Sequence, residues 1–138
     1  MSGDGRDIDT LATMHRRGSI THGMRDAGEV FRRYFRTAQL DPLKAADMAR
    51  LPSAARFSSA RGGGIEAARD VVWGAIQAAG GLGSPGGSCL WHVVGAEHSN
   101  KQWALEQGWS GRTVNPETAS GILIAALGIL EQHLAERR

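Results

Sequence analysis

Two helical segments separated by a polar turn, near the C-terminal end of the chain, limit the fold more than any other feature. The segment from Trp103 to Leu134 reads WALEQGWSGRTVNPETASGILIAALGILEQHL. Gly108 is typical of a helix stop, and Asn115 followed by Pro116 is typical of a helix start. Apolar residues then cover most of the circumference of the second segment, as in a helix at the centre of a core. The pattern predicts two helices that close over a shared interior.

Similar start and stop signals divide the rest of the chain into further helices. The strongest follows Thr21, because apolar residues recur there at helical spacing from Met24 to Ala38. Another helix is predicted from Ile65 to Ala79. The remaining signals are the N-caps Asp7 or Asp9, Asp41, Ser84 and Ser99 and the stops Gly18, Pro52 and Gly95. No segment alternates in the manner of a strand. We therefore predict an all-α fold, a compact bundle of five to seven helices with a helix-turn-helix-like C-terminal unit.

Composition predicts four regions within one domain. Residues 1–6 are expected to be disordered, and residues 7–51 to form N-terminal helices with a basic face, including a short helix from Asp41 to Arg50. Residues 52–64 include SAARFSSARGGG, which is small, polar and glycine-rich, so we predict a flexible linker there. Residues 65–138 are predicted to form the C-terminal helical core.

The overall composition favours a globular, cytoplasmic protein. Hydrophobic residues make up 41% of the chain and charged residues 22%, which indicates a folded chain. No uninterrupted apolar run reaches about 18 residues, so no membrane segment is predicted. The N-terminal MSGDGRDID lacks the apolar stretch of a signal peptide. Cys89 is the single cysteine, which fits a reducing compartment.

The chemistry-bearing motifs do not predict an enzyme, a cofactor or a metal site. Residues 81–86 match the letters of a dinucleotide fingerprint, but a helix precedes them where the fingerprint needs a strand. We interpret them as a flexible connection between helices. Cys89, His92, His98 and His133 lack the paired spacing of a structural zinc site. No nucleophile, base and orienting group occur together in a recognisable arrangement.

Two groups of residues suggest contacts with nucleic acid. The first is an arginine face on the helix after Thr21, with Glu29 and Asp26 beside it; its alternative interpretation is an ordinary solvated surface. Residues 1–64 carry eleven Lys/Arg and seven Asp/Glu, while residues 65–138 carry five and seven. The second group surrounds the polar turn, although Glu117 would repel phosphate. Together the predicted DNA-binding residues are Arg25, Arg32, Arg33, Arg36, Lys101, Arg112, Thr113, Asn115 and Thr118. Most of the four tryptophans from Trp73 to Trp109 are expected to pack in the core rather than to stack on bases, because Lys101 is the only cation between them.

The segments MHRRGSIT, AGEVFRRYFRTAQL and CLWHVVGAEHSNKQWALEQGWSGRTVNPETASGILIAALGILEQHL carry a family resemblance. Over about Leu11 to Leu134, the chain resembles a bacterial domain family of unknown function that occurs in alphaproteobacteria and their phages. That family often forms the C-terminal part of transcription regulators. The ending is also similar to the C-terminal DNA-binding region of sigma factors. The resemblance implies an all-helical, cytoplasmic, phage-linked regulator, but it supplies no binding residues, and we do not expect a separate DNA-binding domain before the family region within this sequence.

The leading hypothesis from the sequence is therefore a DNA-binding, transcription-associated regulatory protein of phage or bacterial origin. The alternatives are a helical module that docks on another regulator or on RNA polymerase, and a small phage assembly or packaging component. The sequence leaves open whether a second copy of the chain is a further partner.

Overall fold

A computed structural model describes residues 10–38 and 64–137, and within these ranges the chain is all-helical. Six helices lie within the described residues, which contain no β-strand, and they confirm the predicted all-α fold class. Helices α4 and α5 each begin with α-helical geometry and continue in π-helical geometry. The six are α1 (Thr10–Arg16), α2 (His22–Thr37), α3 (Gly64–Ala78), α4 (Pro85–Cys89, then Leu90–Gly95), α5 (Asn100–Gln102, then Trp103–Gln107) and α6 (Pro116–Glu136).

Most of the predicted helix boundaries are confirmed, because the capping side chains bond to the backbone as expected. Each hydroxyl or amide oxygen accepts a hydrogen bond from a first-turn N–H, which would otherwise lack a partner. These bonds join Thr21 to Met24 (3.1 Å), Ser84 to Gly87 (3.1 Å), Ser99 to Gln102 (3.0 Å) and Asn115 to Glu117 (2.7 Å). The predicted cap at Asp7 or Asp9, the short helix after Asp41 and the linker up to residue 63 lie outside the described residues.

The core is built around tryptophan and phenylalanine side chains from α2, α3, α4 and α5. Trp73, Trp91 and Trp103 are each no more than 2% exposed, which confirms their predicted packing role. The rings of Phe35 and Trp91 meet edge to face, with centroids 5.0 Å apart, an arrangement that aromatic quadrupoles favour. Trp109 is only half-buried and packs against this core from the polar turn.

Helix α2 joins the N-terminal part of the described chain to the C-terminal core. A Cβ on Gly28 would lie 3.2 Å from a methyl of Leu127 on α6 and 2.6 Å from a methyl of Leu11 on α1. The absence of a side chain at this position therefore lets α1, α2 and α6 approach closely. Residues on both sides of the undescribed segment share one hydrophobic cluster.

Helix α6 is only partly a core helix, which corrects the prediction that it packs on most of its circumference. Five residues of one face are buried: Ala119, Leu123, Ala126, Leu127 and Leu130. The opposite face is uncovered, and only 28% of the most apolar 18-residue window is buried. By length and composition alone, α6 could cross a membrane. The sequence did not predict this, because it contains no uninterrupted apolar run of sufficient length. Elsewhere on α6, Gly121, Ala125 and Ile129 are exposed, whereas Ile122 and Ile124 are partly buried against the core.

The glycine-rich connection between α3 and α4 is tightly packed, so the interpretation as a flexible connection is wrong. The Ser84 hydroxyl lies 2.8 Å from the carbonyl oxygen of Gly81 and 3.1 Å from that of Ala79. A Cβ on Gly87 would lie 1.9 Å from the Gly81 oxygen. Glycine permits a close approach of two backbones here, and the phosphate-binding interpretation has no strand to support it.

Candidate nucleic-acid interface

A buried hydrogen-bonded chain fixes the position at which α5 ends. The indole Nε1–H of Trp103 donates to the Ser88 hydroxyl oxygen at 2.9 Å. The Ser88 hydroxyl in turn donates to the carbonyl of Gly108, the residue that ends α5. Because all three groups are buried, each would lose its water partners on folding, and these bonds compensate for that loss. The start of the polar turn is therefore attached to α4.

The polar turn itself occupies positions 108–115, which makes it longer than the three or four residues of a compact helix-turn-helix. Trp109 and Arg112 exchange two backbone hydrogen bonds, of 3.2 and 2.8 Å. Ser110 and Gly111 have φ values of +50° and +76° at the tip between them. The Ser110 hydroxyl donates to the carbonyl of Gly83 at 3.1 Å. The turn is thus held on two sides, and Arg112 lies on its exposed part.

The chain then returns alongside α5 before α6 begins. The Val114 N–H donates to the carbonyl of Ala104 at 2.8 Å. Further along, the Asn100 amide group lies 3.4 Å from the Ser120 hydroxyl. These two contacts place the first turns of α6 beside the N-terminal half of α5. All five residues predicted for this part of the interface are exposed: Lys101, Arg112, Thr113, Asn115 and Thr118.

This surface carries several hydrogen-bonding groups but no net positive charge. Within the described residues, neither Lys101 nor Arg112 forms an ion pair. Glu106 and Glu117 are also exposed on α5 and α6, so the two formal charges of each sign cancel. The side-chain oxygen of Asn115 is committed to the helix cap, whereas its NH₂ group remains a donor. We name these five predicted residues the C-terminal polar surface.

The arginine face on α2 is not a continuous exposed surface, which corrects the prediction. Arg32 is buried, and its Nε–H donates to the Val94 carbonyl at 2.9 Å. Its guanidinium also lies 3.9 Å from the carboxylate of Glu97. The cause is the packing of α2 on the end of α4, where carbonyl groups lack helical partners. Arg32 therefore acts as a structural cap for α4.

Two of the other α2 arginines also make ion pairs within the chain. Arg25 lies 3.2 Å from Glu29 on the next turn, and Arg36 pairs with Glu97. Arg33 is exposed and has no ion pair within the described residues. Of the four predicted α2 arginines, Arg33 is thus the one whose charge is best placed for an external phosphate.

Glu97 links α2 to the end of α4, a role that the sequence did not predict. It follows Ala96, the C-cap residue of α4, and has a left-handed φ of +64°, a conformation that few non-glycine residues adopt. There its carboxylate faces both Arg32 and Arg36. The sequence does carry a signal, since two arginines four positions apart on one helix can share a single carboxylate. The partner is 61 residues from Arg36 along the chain, and sequence spacing alone cannot identify it.

His92 and His98 stack on each other, with ring centroids 5.8 Å apart. Burial, together with the nearby charge of His98, lowers the pKa of His92 to about 4. Burial also raises the pKa of the Cys89 thiol, which keeps that thiol protonated and unreactive. The described residues contain no group of three or more His, Cys, Asp or Glu side chains arranged to hold a metal ion. The His92–His98 pair bears on the stability of the fold.

We expect the folded protein to lose stability as the pH falls from about 6.5 towards 4, because of His92. In the unfolded chain this imidazole binds a proton below its ordinary pKa of about 6.5, whereas in the fold it stays neutral down to about 4. The unfolded state therefore gains protons first, and at pH 5 the loss should be about 1 to 2 kcal/mol. Urea unfolding at pH 7.5 and pH 5 measures the difference.

The matched variants for this pH dependence are His92→Gln and, as a control, His22→Gln at an exposed position. His92→Gln should flatten the pH dependence, and His22→Gln should leave it unchanged. An equal response of the two variants would contradict the assignment to His92.

The resemblance noted in the sequence has no support from outside the chain. Comparison with protein-family models, with curated proteins and with solved structures gives no match. The relationship to regulators and sigma factors therefore stays a prediction from the motifs.

Proposed function

We propose that the protein binds duplex DNA through the C-terminal polar surface, as a transcription-associated regulator. The observation that carries the proposal is the convergence of five exposed hydrogen-bonding residues on the adjoining parts of α5, the polar turn and α6. Arg112 and Lys101 provide charge for phosphates, and the Asn115 amide and the two threonine hydroxyls provide hydrogen bonds. Side chains of these types make the contacts that position proteins on DNA.

The rigid support beneath this surface favours the same function. Trp103, Ser88 and Gly108 fix the end of α5, and the Trp109–Arg112 bonds shape the turn. A contact surface held in one conformation loses little entropy on binding. Glu106 and Glu117 reduce the positive potential, so the expected affinity is modest and depends on the bonds made at close range.

The test is binding to a fluorescent duplex of mixed sequence at two salt concentrations. We expect measurable binding at ~50 mM salt that falls steeply by ~200 mM, because bound cations release counterions from the DNA. Replacing Arg112 with alanine should weaken binding about three- to tenfold and reduce the salt slope by about one. The control is Arg137→Ala, which removes an exposed arginine from the far end of α6.

Three outcomes would separate the possibilities. Undetectable binding by the native chain at ~50 mM salt would refute DNA binding. If the Arg112 and Arg137 substitutions weaken DNA binding equally, the C-terminal polar surface is not the DNA-binding site and the binding is nonspecific. Weakening by Arg33→Ala alone would instead assign the contact to α2.

A further inference from the structure

A cleft of about 550 Å³ opens between α2, α3 and the C-terminal end of α6. Its volume is within the range of small-molecule binding sites, roughly 300 to 1,000 Å³. Apolar and aromatic side chains form much of its lining: Ala27, Val30 and Tyr34 from α2, Val71 from α3, and Leu134 and Ala135 from α6. We name this cavity the α2–α6 cleft. Its lining favours a ligand with an apolar body.

Three charged side chains also line the α2–α6 cleft, namely Asp26, Glu131 and Arg137. Asp26 has a partner within the chain, because the imidazole of His22 lies 3.2 Å from its carboxylate. Among the described residues, Glu131 and Arg137 form no ion pair. The cleft therefore offers one carboxylate and one guanidinium group to a ligand.

Gly23 allows the carboxylate of Glu131 to lie against α2. A Cβ at Gly23 would lie 2.0 Å from Oε2 of Glu131, so this carboxylate contacts the backbone of the first turn of α2. Glycine inside a helix lowers its stability relative to alanine, and Gly23 does not have the positive φ that would require glycine. The close approach of Glu131 accounts for the glycine and fixes one charged wall of the cleft.

The carboxylate and the guanidinium group come from different levels of α6. Arg137 is the C-cap residue and keeps helical backbone geometry, six residues after Glu131. At about 1.5 Å per residue, their backbone positions are separated by about 9 Å along the helix. Leu134 and Ala135 lie between them on the cleft wall. Apolar surface therefore separates the anionic end of the cleft from its cationic end.

We propose that the α2–α6 cleft binds a small zwitterion in which an apolar body separates an ammonium group from a carboxylate. The ammonium group pairs with Glu131, and the carboxylate accepts hydrogen bonds from the guanidinium group of Arg137. The body lies against Val30, Val71 and Leu134. Because both protein charges are accessible to solvent, each ionic contact strengthens binding only modestly. We expect a Kd of about 0.1 to 1 mM for a ligand of this size.

The test is an NMR titration of the isotope-labelled full chain with three probes of similar length: ω-aminooctanoate, octylamine and octanoate. Aminooctanoate should bind about three- to fivefold more tightly than either of the others, because it alone makes both ionic contacts. Glu131→Gln should remove its advantage over octanoate, and Arg137→Gln should remove its advantage over octylamine. The largest shifts should occur at Val30, Val71 and Leu134.

Two tryptophan variants test whether the cleft holds the probe. Ala135→Trp adds a large ring at an exposed position that lines the cleft, and Ala125→Trp adds it at an exposed position of α6 outside the cleft. The first should weaken aminooctanoate binding at least about tenfold, because the ring occupies the space of the apolar body. The second is the matched control and should leave binding unchanged.

Gly23→Ala tests the position of Glu131 without removing its charge. The added methyl group would displace the carboxylate from the first turn of α2, so this variant should lose the advantage of aminooctanoate over octanoate, as Glu131→Gln does. The fold should be retained, since alanine favours a helix. Circular dichroism of each variant checks that the helices are intact.

No saturable binding of aminooctanoate up to about 10 mM would overturn the proposal. Equal affinities for aminooctanoate and octylamine would also overturn it, because the cleft would then select a cation alone. Equal weakening by the two tryptophan variants would place the probe outside the cleft, with the same consequence. The titration contains no DNA, so its outcome and that of the DNA-binding test are independent.

Discussion

A Gly108→Ala variant is expected to lose about 3 to 5 kcal/mol of unfolding free energy, a large part of the stability of a domain of this size. The added Cβ would lie 1.5 Å from the carbonyl oxygen of Arg112 and 2.6 Å from its carbonyl carbon. Backbone atoms on that side cannot rotate away as a side chain can. Gly108 also has φ +52° and ψ −142°, a region that residues with a side chain rarely adopt. Steric overlap and backbone strain therefore act together.

Gly111→Ala is the matched control for this variant, because it adds the same methyl group three residues away. Gly111 also has a positive φ, of +76°, but a Cβ there would meet no described atom within 4 Å. It should cost only about 1 kcal/mol, from the backbone conformation alone. Urea unfolding followed by tryptophan fluorescence compares the two variants. A difference below about 1 kcal/mol between them would contradict the close approach of Gly108 to Arg112.

Replacing Arg32 with alanine is expected to destabilise the fold by about 3 kcal/mol, the second large effect. The substitution removes a buried aliphatic stem, leaves the Val94 carbonyl without its 2.9 Å donor and takes one cation from beside Glu97. Arg32→Met keeps most of the stem and loses the hydrogen bond, so its loss should be intermediate.

The control for Arg32 is its neighbour Arg33, which carries the same charge on the exposed side of α2. Arg33→Ala should change stability by no more than about 0.5 kcal/mol. Thermal and urea unfolding of both variants provide the comparison. Similar losses for Arg32→Ala and Arg33→Ala would show that the α2 arginines are equivalent, contrary to the structure. Because Arg32→Ala affects folding, Arg33→Ala is the better variant for testing DNA contacts by α2.

Local signals in the sequence were sufficient to predict the helices themselves. Thr21, Ser84, Ser99 and Asn115 each cap the helix that was predicted to follow them. A cap depends on a side chain and an N–H only two or three residues away, so the sequence contains both partners. The burial of the tryptophans was predictable for a related reason, since a large aromatic ring without nearby cations is most stable inside a core.

Charge distribution along a helix was a poor guide to which arginines face solvent. Arg32 and Arg33 are adjacent and chemically identical, yet one caps α4 and the other is exposed. The difference arises from the position of Val94 and Glu97, which lie more than sixty residues away in the chain. No local pattern encodes a contact that forms only when two distant elements pack together.

The sequence by itself determined that the described residues form helices, where most of these helices begin, and that the last helix is apolar on several sides. Only the tertiary structure decided which of those sides are used internally. Packing of α6 on α2, α3, α4 and α5 buries Leu123, Leu127 and Leu130 and leaves Gly121 and Ile129 uncovered. The physical reason is that helical periodicity records which residues are apolar, whereas the faces that are covered depend on the positions of the neighbouring helices.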